Sequence, residues 1–388
     1  MKKIISFILC LVLVCMTLAS CKGDEYGYNG DYDGYITNEE RAPIVLDMCI
    51  VTDSSTEENA KKTVTANINQ FLKGKFNTTL NIRYMSADNY AQEVLAAAQG
   101  TDSETSYRAD IVLVLGEEMF NSLHALDLLV DLSNYYDPES YGKYDSESFA
   151  RLNTIMSTKN LITASYVDDR IYTVPNDHVI GAYEFILVNK EIAHYYNNSD
   201  LRIATWLDYD CEELVEFREK VDADGIYPVD DAVKHVTDGA YADIAEWESK
   251  GYACNIVKYP EVTRAEAFKS AFAIVKDADH VGKEIPEGTV PVYLERYFRA
   301  MEVIYTISSD PTLATFLQFG IQGPNYTLKT LADYENVSRN NSGTGRYYMN
   351  PLHTGSIFNM LFCDELGWTP AVKANALAQN KQSVIPNA

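Results

Sequence analysis

Side chains able to do chemistry are plentiful in this chain but are nowhere gathered into a catalytic pattern. The histidines at 124, 178, 194, 235, 280 and 353 share no metal-ligand spacing. No G-x-S-x-G elbow, H-E-x-x-H helix, Walker loop or G-x-G-x-x-G is present, which argues against serine and zinc hydrolases. Asp and Glu together number 56, too many for the sequence to rank any pair. A glycosidase needs only two carboxylates at a set separation, so that chemistry stays open. Cys49, Cys211, Cys254 and Cys363 lie far apart without paired short spacings. That excludes a zinc site built from CxxC pairs and leaves any disulfide unassigned. No cofactor and no metal is expected. Tyrosine stands out, with 28 residues against 14 Phe and 3 Trp. Its ring offers an apolar face and its hydroxyl a polar tip, which suits partly wet clefts and the faces of sugars or peptides.

The elements that must position such groups follow from hydrophobic period. Ile44 to Val51 is an apolar run that suits a buried strand. Ser54 and Ser55, each with a Glu three residues on, signal a helix start, with Ala60, Val64, Ile68 and Leu72 at helical spacing and Gly74 as the stop. A strand at Leu80–Tyr84, a helix at Tyr90–Gln99, a strand at Asp110–Gly116 and a helix at Glu117–Leu129 continue the alternation. This order predicts a parallel sheet with ligands at the carboxyl ends of its strands, where Asp53, Ser54 and Glu117 stand. Further on, Ser146–Ser165, Lys190–Tyr196, Asp210–Val221, Arg296–Ile307 and Pro311–Phe319 read as helices. Arg170–Pro175, Glu184–Val188, Tyr252–Tyr259 and Ala271–Val275 read as strands.

The amino-terminal end is of another kind. Lys2 and Lys3 precede an almost unbroken apolar run from Ile4 to Leu18, then Ala19, Ser20 and Cys21. The run is too short to span a bilayer and fits a secretory signal. Leu18-Ala19-Ser20-Cys21 resembles the lipobox of bacterial lipoproteins, which implies cleavage after residue 20 and lipidation of Cys21. Lys22 to Pro43, rich in Gly, Asp and Tyr, reads as a flexible tether. Asp31-Tyr32-Asp33-Gly34 lacks the spaced ligands of an EF-hand. The 368 residues left by cleavage are more than one core usually organises, so two lobes are expected. The formal net charge of −24 repels nucleic acid and anionic lipid, and excludes both as partners.

From Ile171-Tyr172-Thr173-Val174-Pro175-Asn176 through Phe185 to Lys190, the chain resembles the extracellular solute-binding proteins of ABC importers. Other segments agree in order: Ala109 to Gly116 with Ala125 to Leu132, Ala204 to Asp208, and Arg299 to Ile304 with Ser309-Asp310-Pro311. Leu317 to Tyr326 (LQFGIQGPNY) is similar to a signature of a Gram-positive lipoprotein branch that occurs with carbohydrate-type importers. His280 to Leu294 and Asn340 to Asn350 depart from the family pattern.

The resemblance implies an α/β, two-lobed periplasmic-binding-protein-like fold of type II. Each lobe would be a mixed, mostly parallel sheet flanked by helices, with a hinge between them. The implied division is a signal at 1–20, a tether at 21–43, lobe 1 at 44–177, lobe 2 at 178–264, a return to lobe 1 at 265–326, and the rest of lobe 2 at 327–388. It further implies a non-enzymatic protein, lipid-anchored on the extracytoplasmic face of the cell membrane. Such a protein passes a small solute, a carbohydrate first and a peptide second, to the transmembrane subunits of an ABC permease. Asn176 and Asp177, at the crossing between lobes, join Asp53, Ser54 and Glu117 as ligand-binding candidates, with Tyr183 and Trp247 as aromatic walls. Trp206, at a helix start, fits packing better than stacking. The rival readings are a surface glycan hydrolase and a non-transport sensor or adhesin. Crossings are expected near Pro175–Gly181, near Pro260–Ala267 and after Tyr326.

Overall fold

The apolar run that opens the folded body is a strand, β1 (Ile44–Thr52), with Leu46, Met48, Cys49, Ile50 and Val51 buried. Its run is nearly continuous because both faces are covered. The protein is described by a computed structural model over residues 41–101, 108–133, 156–197, 209–238, 244–277, 292–331, 334–340, 343–364 and 367–386. Cys21 and the expected signal lie outside the described residues, as do the tether up to residue 40, Trp206, and residues 146–155 of the helix expected at Ser146–Ser165. Ala42–Ala388 forms one compact unit.

After β1 comes α1 (Glu58–Phe76), which turns Ala60, Val64, Ile68 and Leu72 inward. It starts later than the capping-box reading requires. Asp53 accepts the Ser55 N–H at 2.7 Å and its carbonyl accepts the Thr56 N–H, so 53–56 is a turn and Glu57 precedes the helix without a side-chain cap. Gly74 does not stop α1. The stop is Asn77, in the left-handed region at φ 52°, whose N–H donates to Leu72 and Lys73. Then follow β2 (Thr78–Ser86), α2 (Tyr90–Gln99), β3 (Ile111–Val114), α3 (Glu117–Ala125), α4 (Asn160–Ala164) and β4 (Thr173–Pro175). The chain next builds β5 (Tyr183–Asn189), α5 (Lys190–Tyr195), α6 (Glu212–Asp224), β6 (Val233–Asp238), α7 (Ile244–Ser249), β7 (Tyr252–Lys258) and α8 (Arg264–Ala267). It closes with β8 (Ala271–Ile274), α9 (Val292–Ser309), α10 (Pro311–Phe319), β9 (Tyr326–Leu331), β10 (Tyr334–Arg339), β11 (Phe362–Cys363) and α11 (Pro370–Gln382).

The strands make three sheets. The first has order β2-β1-β3-β8-β4, with β2 and β3 parallel to β1 and β8 antiparallel between β3 and β4. The second, β6-β5-β7, is antiparallel at both pairings, where a mostly parallel sheet is expected. β6 and β7 run alike on either side of β5, so their connection must cross one face, and α7 lies in that connection. The third is β11-β10-β9, built on the antiparallel pair of β9 and β10. On β5, Tyr183, Phe185 and Leu187 join one core cluster while Ile186 and Val188 join another with α5 and α6. The period of two thus serves two covered faces. Among the described residues Cys211 and Cys254 are free thiols, and no helix is long and apolar enough to cross a membrane.

One charge lies at the centre of the first sheet's packing. Arg299 on α9 is 1% exposed and pairs with Glu295 one turn away at 2.9 Å. Its Nη1 donates to the Phe76 carbonyl at the end of α1 and to Thr78 Oγ1 at the start of β2. A cation is favourable at a helix carboxyl end, and here it also ties α9 to the turn between α1 and β2. Arg299→Met takes the charged donor away from the Phe76 carbonyl and Thr78 Oγ1 at the turn between α1 and β2, and should cost roughly 1–3 kcal/mol, read as a lower urea midpoint; an unchanged midpoint would refute this role.

Candidate functional site

The carboxyl ends of β1 and β3 place the first three candidates. Asp53 and Ser54 are exposed just past β1, and Ser55 holds the Asp53 carboxyl below its usual range by donating side-chain and backbone hydrogen bonds. Glu117 opens α3, where a carboxylate is favoured, and pairs with Arg264 Nε at 2.6 Å. Arg264 also donates to the Tyr166 carbonyl and lies 5.0 Å from the Phe268 ring centroid, so its guanidinium is fixed on several sides.

Asn176 and Asp177 sit where the chain leaves β4 for β5, but they are buried, each about 1% exposed. Asn176 donates to Ser270 Oγ at 2.8 Å and to the Leu352 carbonyl at 3.0 Å. Asp177 accepts from the Ser157 N–H, the Ser157 hydroxyl and the Ser356 hydroxyl. The Asn176 amide nitrogen and the Asp177 carboxylate are therefore engaged with the protein, while Asn176 Oδ1 is buried without a hydrogen-bond partner. Tyr183 is packed in the core cluster of β5, with its ring edge-on to Tyr259 at 6.1 Å. Trp247 on α7 is partly buried against the same cluster, with Lys250 Nζ 4.8 Å from its ring. The candidates thus fall into three neighbourhoods: the first sheet's rim, the buried crossing, and one face of the second sheet.

The sequence reading missed the segment that completes the rim. Residues 345–350 return to the first sheet, where Tyr347 and Met349 join its core, instead of staying with the second lobe. Tyr348 donates its N–H to Thr56 Oγ1 at 3.1 Å, while its carbonyl accepts from Thr56 at 3.0 Å and Thr52 at 3.3 Å. Arg346 donates to the Ser55 carbonyl at 2.5 Å, and its own carbonyl accepts the Glu57 N–H. The departure of Asn340–Asn350 from the family pattern was the available signal, although it did not reveal which strand end the segment covers.

No protein-family model matches the sequence, and no curated protein matches it. Solved structures do. The N-glycan transport solute binding protein of Streptococcus pneumoniae aligns over 88% of this chain and 84% of its own, at 14% identity and a TM-score of 0.52. An extracellular solute-binding protein from Bifidobacterium longum subsp. infantis aligns over 87% and 81%, at 11% identity and a TM-score of 0.41.

The Asp177 carboxyl is pushed up to about 6, chiefly by burial, with the Ser157 hydrogen bonds opposing. Between about pH 4 and pH 6 the folded state keeps a proton that the unfolded chain has released, so stability falls as pH rises, by roughly 3 kcal/mol in total. Glu266 works the other way. The hydrogen bond from His178 holds its carboxyl low, which adds stability that is lost on acidification. Asp177→Asn should remove the first contribution, so its urea-unfolding stability should decline less with rising pH than that of the wild type. Parallel profiles would contradict this. Structurally, the chain has the two-lobed α/β fold of the solute-binding proteins.

Proposed function

We propose that this chain is an extracytoplasmic, lipid-anchored solute-binding protein that delivers a sugar or oligosaccharide to an ABC permease by hinge closure. The observation that carries the proposal is the fold shared along most of the chain with an N-glycan transport solute binding protein. The crossings support it. The chain leaves the first sheet at Pro175 and enters the second at Tyr183, then leaves β7 at Lys258 and rejoins the first sheet at Ala271. In this reading 44–177 and 265–326 make one lobe, and 178–264 with most of 327–388 make the other. Asp53, Ser54 and Glu117 form the rim of the cleft on the first lobe, facing Tyr183 and Trp247 on the second, while Asn176 and Asp177 shape the hinge from within.

Closure suits the crossing geometry. A Cβ at Gly181 would lie 3.4 Å from the Glu261 nitrogen, so the two crossing segments are in contact, and the φ of +50° there favours glycine. A ligand that contacts both lobes favours the closed form by that difference in contact.

Binding without turnover also fits the carboxyl groups. A general acid needs a raised pKa within reach of substrate. Of the two candidate carboxyls with shifted titration, Asp177 is raised but walled in, and Asp53 is exposed but held low.

Two experiments test the proposal. Calorimetry against neutral oligosaccharides, with chromatography of the recovered ligand, should show saturable binding of an unaltered sugar and a smaller radius of gyration by scattering. Cleaved sugar would transfer the chain to the hydrolase reading, and an unchanged radius at saturation would remove hinge closure. For the anchor, Cys21→Ala expressed in a lipoprotein-processing bacterium should leave the detergent phase; a mature-sized variant retained there would refute lipidation.

A further inference from the structure

We infer that His178 is a cationic clasp: with a proton on each ring nitrogen it holds together the two chain crossings between the first and second sheets, and it opens when the ring gives up one of those protons. The clasp rests on the geometry of the crossings alone. Its bearing on solute capture rests on the closure reading above.

Both ring nitrogens face oxygen. Nδ1 lies 2.9 Å from the Asn176 carbonyl, and Nε2 lies 2.6 Å from Glu266 Oε2 on α8. A carbonyl oxygen only accepts, so Nδ1 carries a hydrogen. The Glu266 carboxyl is held low by its hydrogen bond with His178 and by Lys269, whose Nζ is 3.6 Å away. As a carboxylate it too only accepts, so Nε2 also carries a hydrogen and the ring is an imidazolium. A neutral ring has one hydrogen for two acceptors. In either tautomer a lone pair would then face the Asn176 carbonyl or the Glu266 carboxylate at hydrogen-bond distance. The side chain is 3% exposed, so water has little access to make good the loss. On the ring's own segment, the Asp177 carboxyl is taken up by Ser157 and Ser356, and its charge favours the cation.

Place gives the clasp its role. The two crossings run past each other in opposite directions and meet at three levels. Next to the first sheet, Asn176 donates its backbone and side-chain N–H groups to Ser270. Farthest from it, Gly181 packs against Pro260 and Glu261. His178 and Glu266 form the middle level, the one that depends on a proton. Histidine is the side chain whose charge ordinarily changes between about pH 5 and pH 8. Losing that level lets the crossings part beside the links that bend, so the pivot no longer guides the second sheet. Capture by hinge closure is then favoured at a pH where the ring keeps both protons.

The test uses the full mature chain without solute. Nitrogen NMR of histidine-labelled wild type, with His178 assigned through its backbone, should report two protonated ring nitrogens at about pH 6.5, where Asp177 is already mostly ionised, and one at about pH 9. Over the same scan, amide exchange in 178–181 and 261–268, corrected for its intrinsic rate, should lose about tenfold protection or more, while β1 keeps its own. Glu266→Gln supplies an amide that can donate to a neutral ring. Its His178 should therefore be neutral at about pH 6.5, and its exchange flat across the scan. A wild-type His178 that is neutral at the acid end of the scan would overturn the clasp without recourse to any variant. A ring that stays cationic throughout, or one that loses its proton with protection unchanged, would overturn the opening. An equal loss of protection in Glu266→Gln would assign the effect to another group and overturn the inference as well.

Discussion

The arrangement of the sheets depends on a buried polar knot at the first chain crossing. Strands that pass between sheets have no ladder neighbours, and buried backbone groups need partners. Here side chains supply them. Asn380, near the end of α11, accepts the Ile180 N–H and donates to the His178 carbonyl and to Ser157 Oγ. Gln379 donates to the carbonyls of Ile180 and Gly181. Asp177 holds Ser157 and Ser356 from the other side, so four distant stretches of chain meet there. His178 reaches Glu266 on α8 at 2.6 Å, which ties the first crossing to the second. Beyond α11, Val384 pairs with Glu261 and exchanges hydrogen bonds with Pro260 and Val262. Most buried polar groups of the knot are paired in this way, and Asn176 Oδ1 and Gln379 Oε1 are buried acceptors there without a protein partner.

The rim of the first sheet is organised by the same logic with fewer parts. The turn after β1 is made locally by Asp53, but the strand end is closed by residues almost 300 positions away. Both regions use short polar side chains against backbone. They differ in exposure: the crossing is sealed, and the rim keeps Asp53, Ser54 and part of Tyr348 in contact with water.

That difference explains what the sequence could convey. The alternation of apolar runs and helical periods from Ile44 to Glu117 is local, and it marked the parallel β1-β2-β3 core and the strand ends correctly. Pro311 after Asp310 likewise marked the start of α10, where Asp310 accepts the Thr312 N–H. Asn176 and Asp177 were read as ligand-facing because short polar residues at a strand end suit a hydroxyl-rich solute. The same residue types also suit backbone satisfaction, and only partners such as Ser356 and Asn380 separate the two uses. Tyr348 was invisible for a related reason, since nothing within its own segment reports that Thr52 and Thr56 will receive it. The elements missed, β6, α7, α8, β9 to β11 and α11, are short or lack a clean period, and tertiary contacts decide them.

The knot also decides where the proposed closure can bend. Residues 176–180 are pinned by side chains from α11 and by Ser157, so they move with that body. Compliance is then left to the links outside the knot, Gly181 to the start of β5 and Lys258 to Pro260 at the end of β7. Gly181 is already in the left-handed region, and Pro260, which has no N–H, is tied only through its carbonyl, which accepts the Val384 N–H. In the proposed closure the second sheet rotates about these two short adjacent segments, and the hydrogen bonds that Asn380 makes with residues 178–180 persist. A hinge placed inside the knot would have to break those bonds on each cycle, at about 1–3 kcal/mol for each group left unsatisfied. Bending beside the knot costs none of them, and a bound solute then needs only modest contact with both lobes to set the angle.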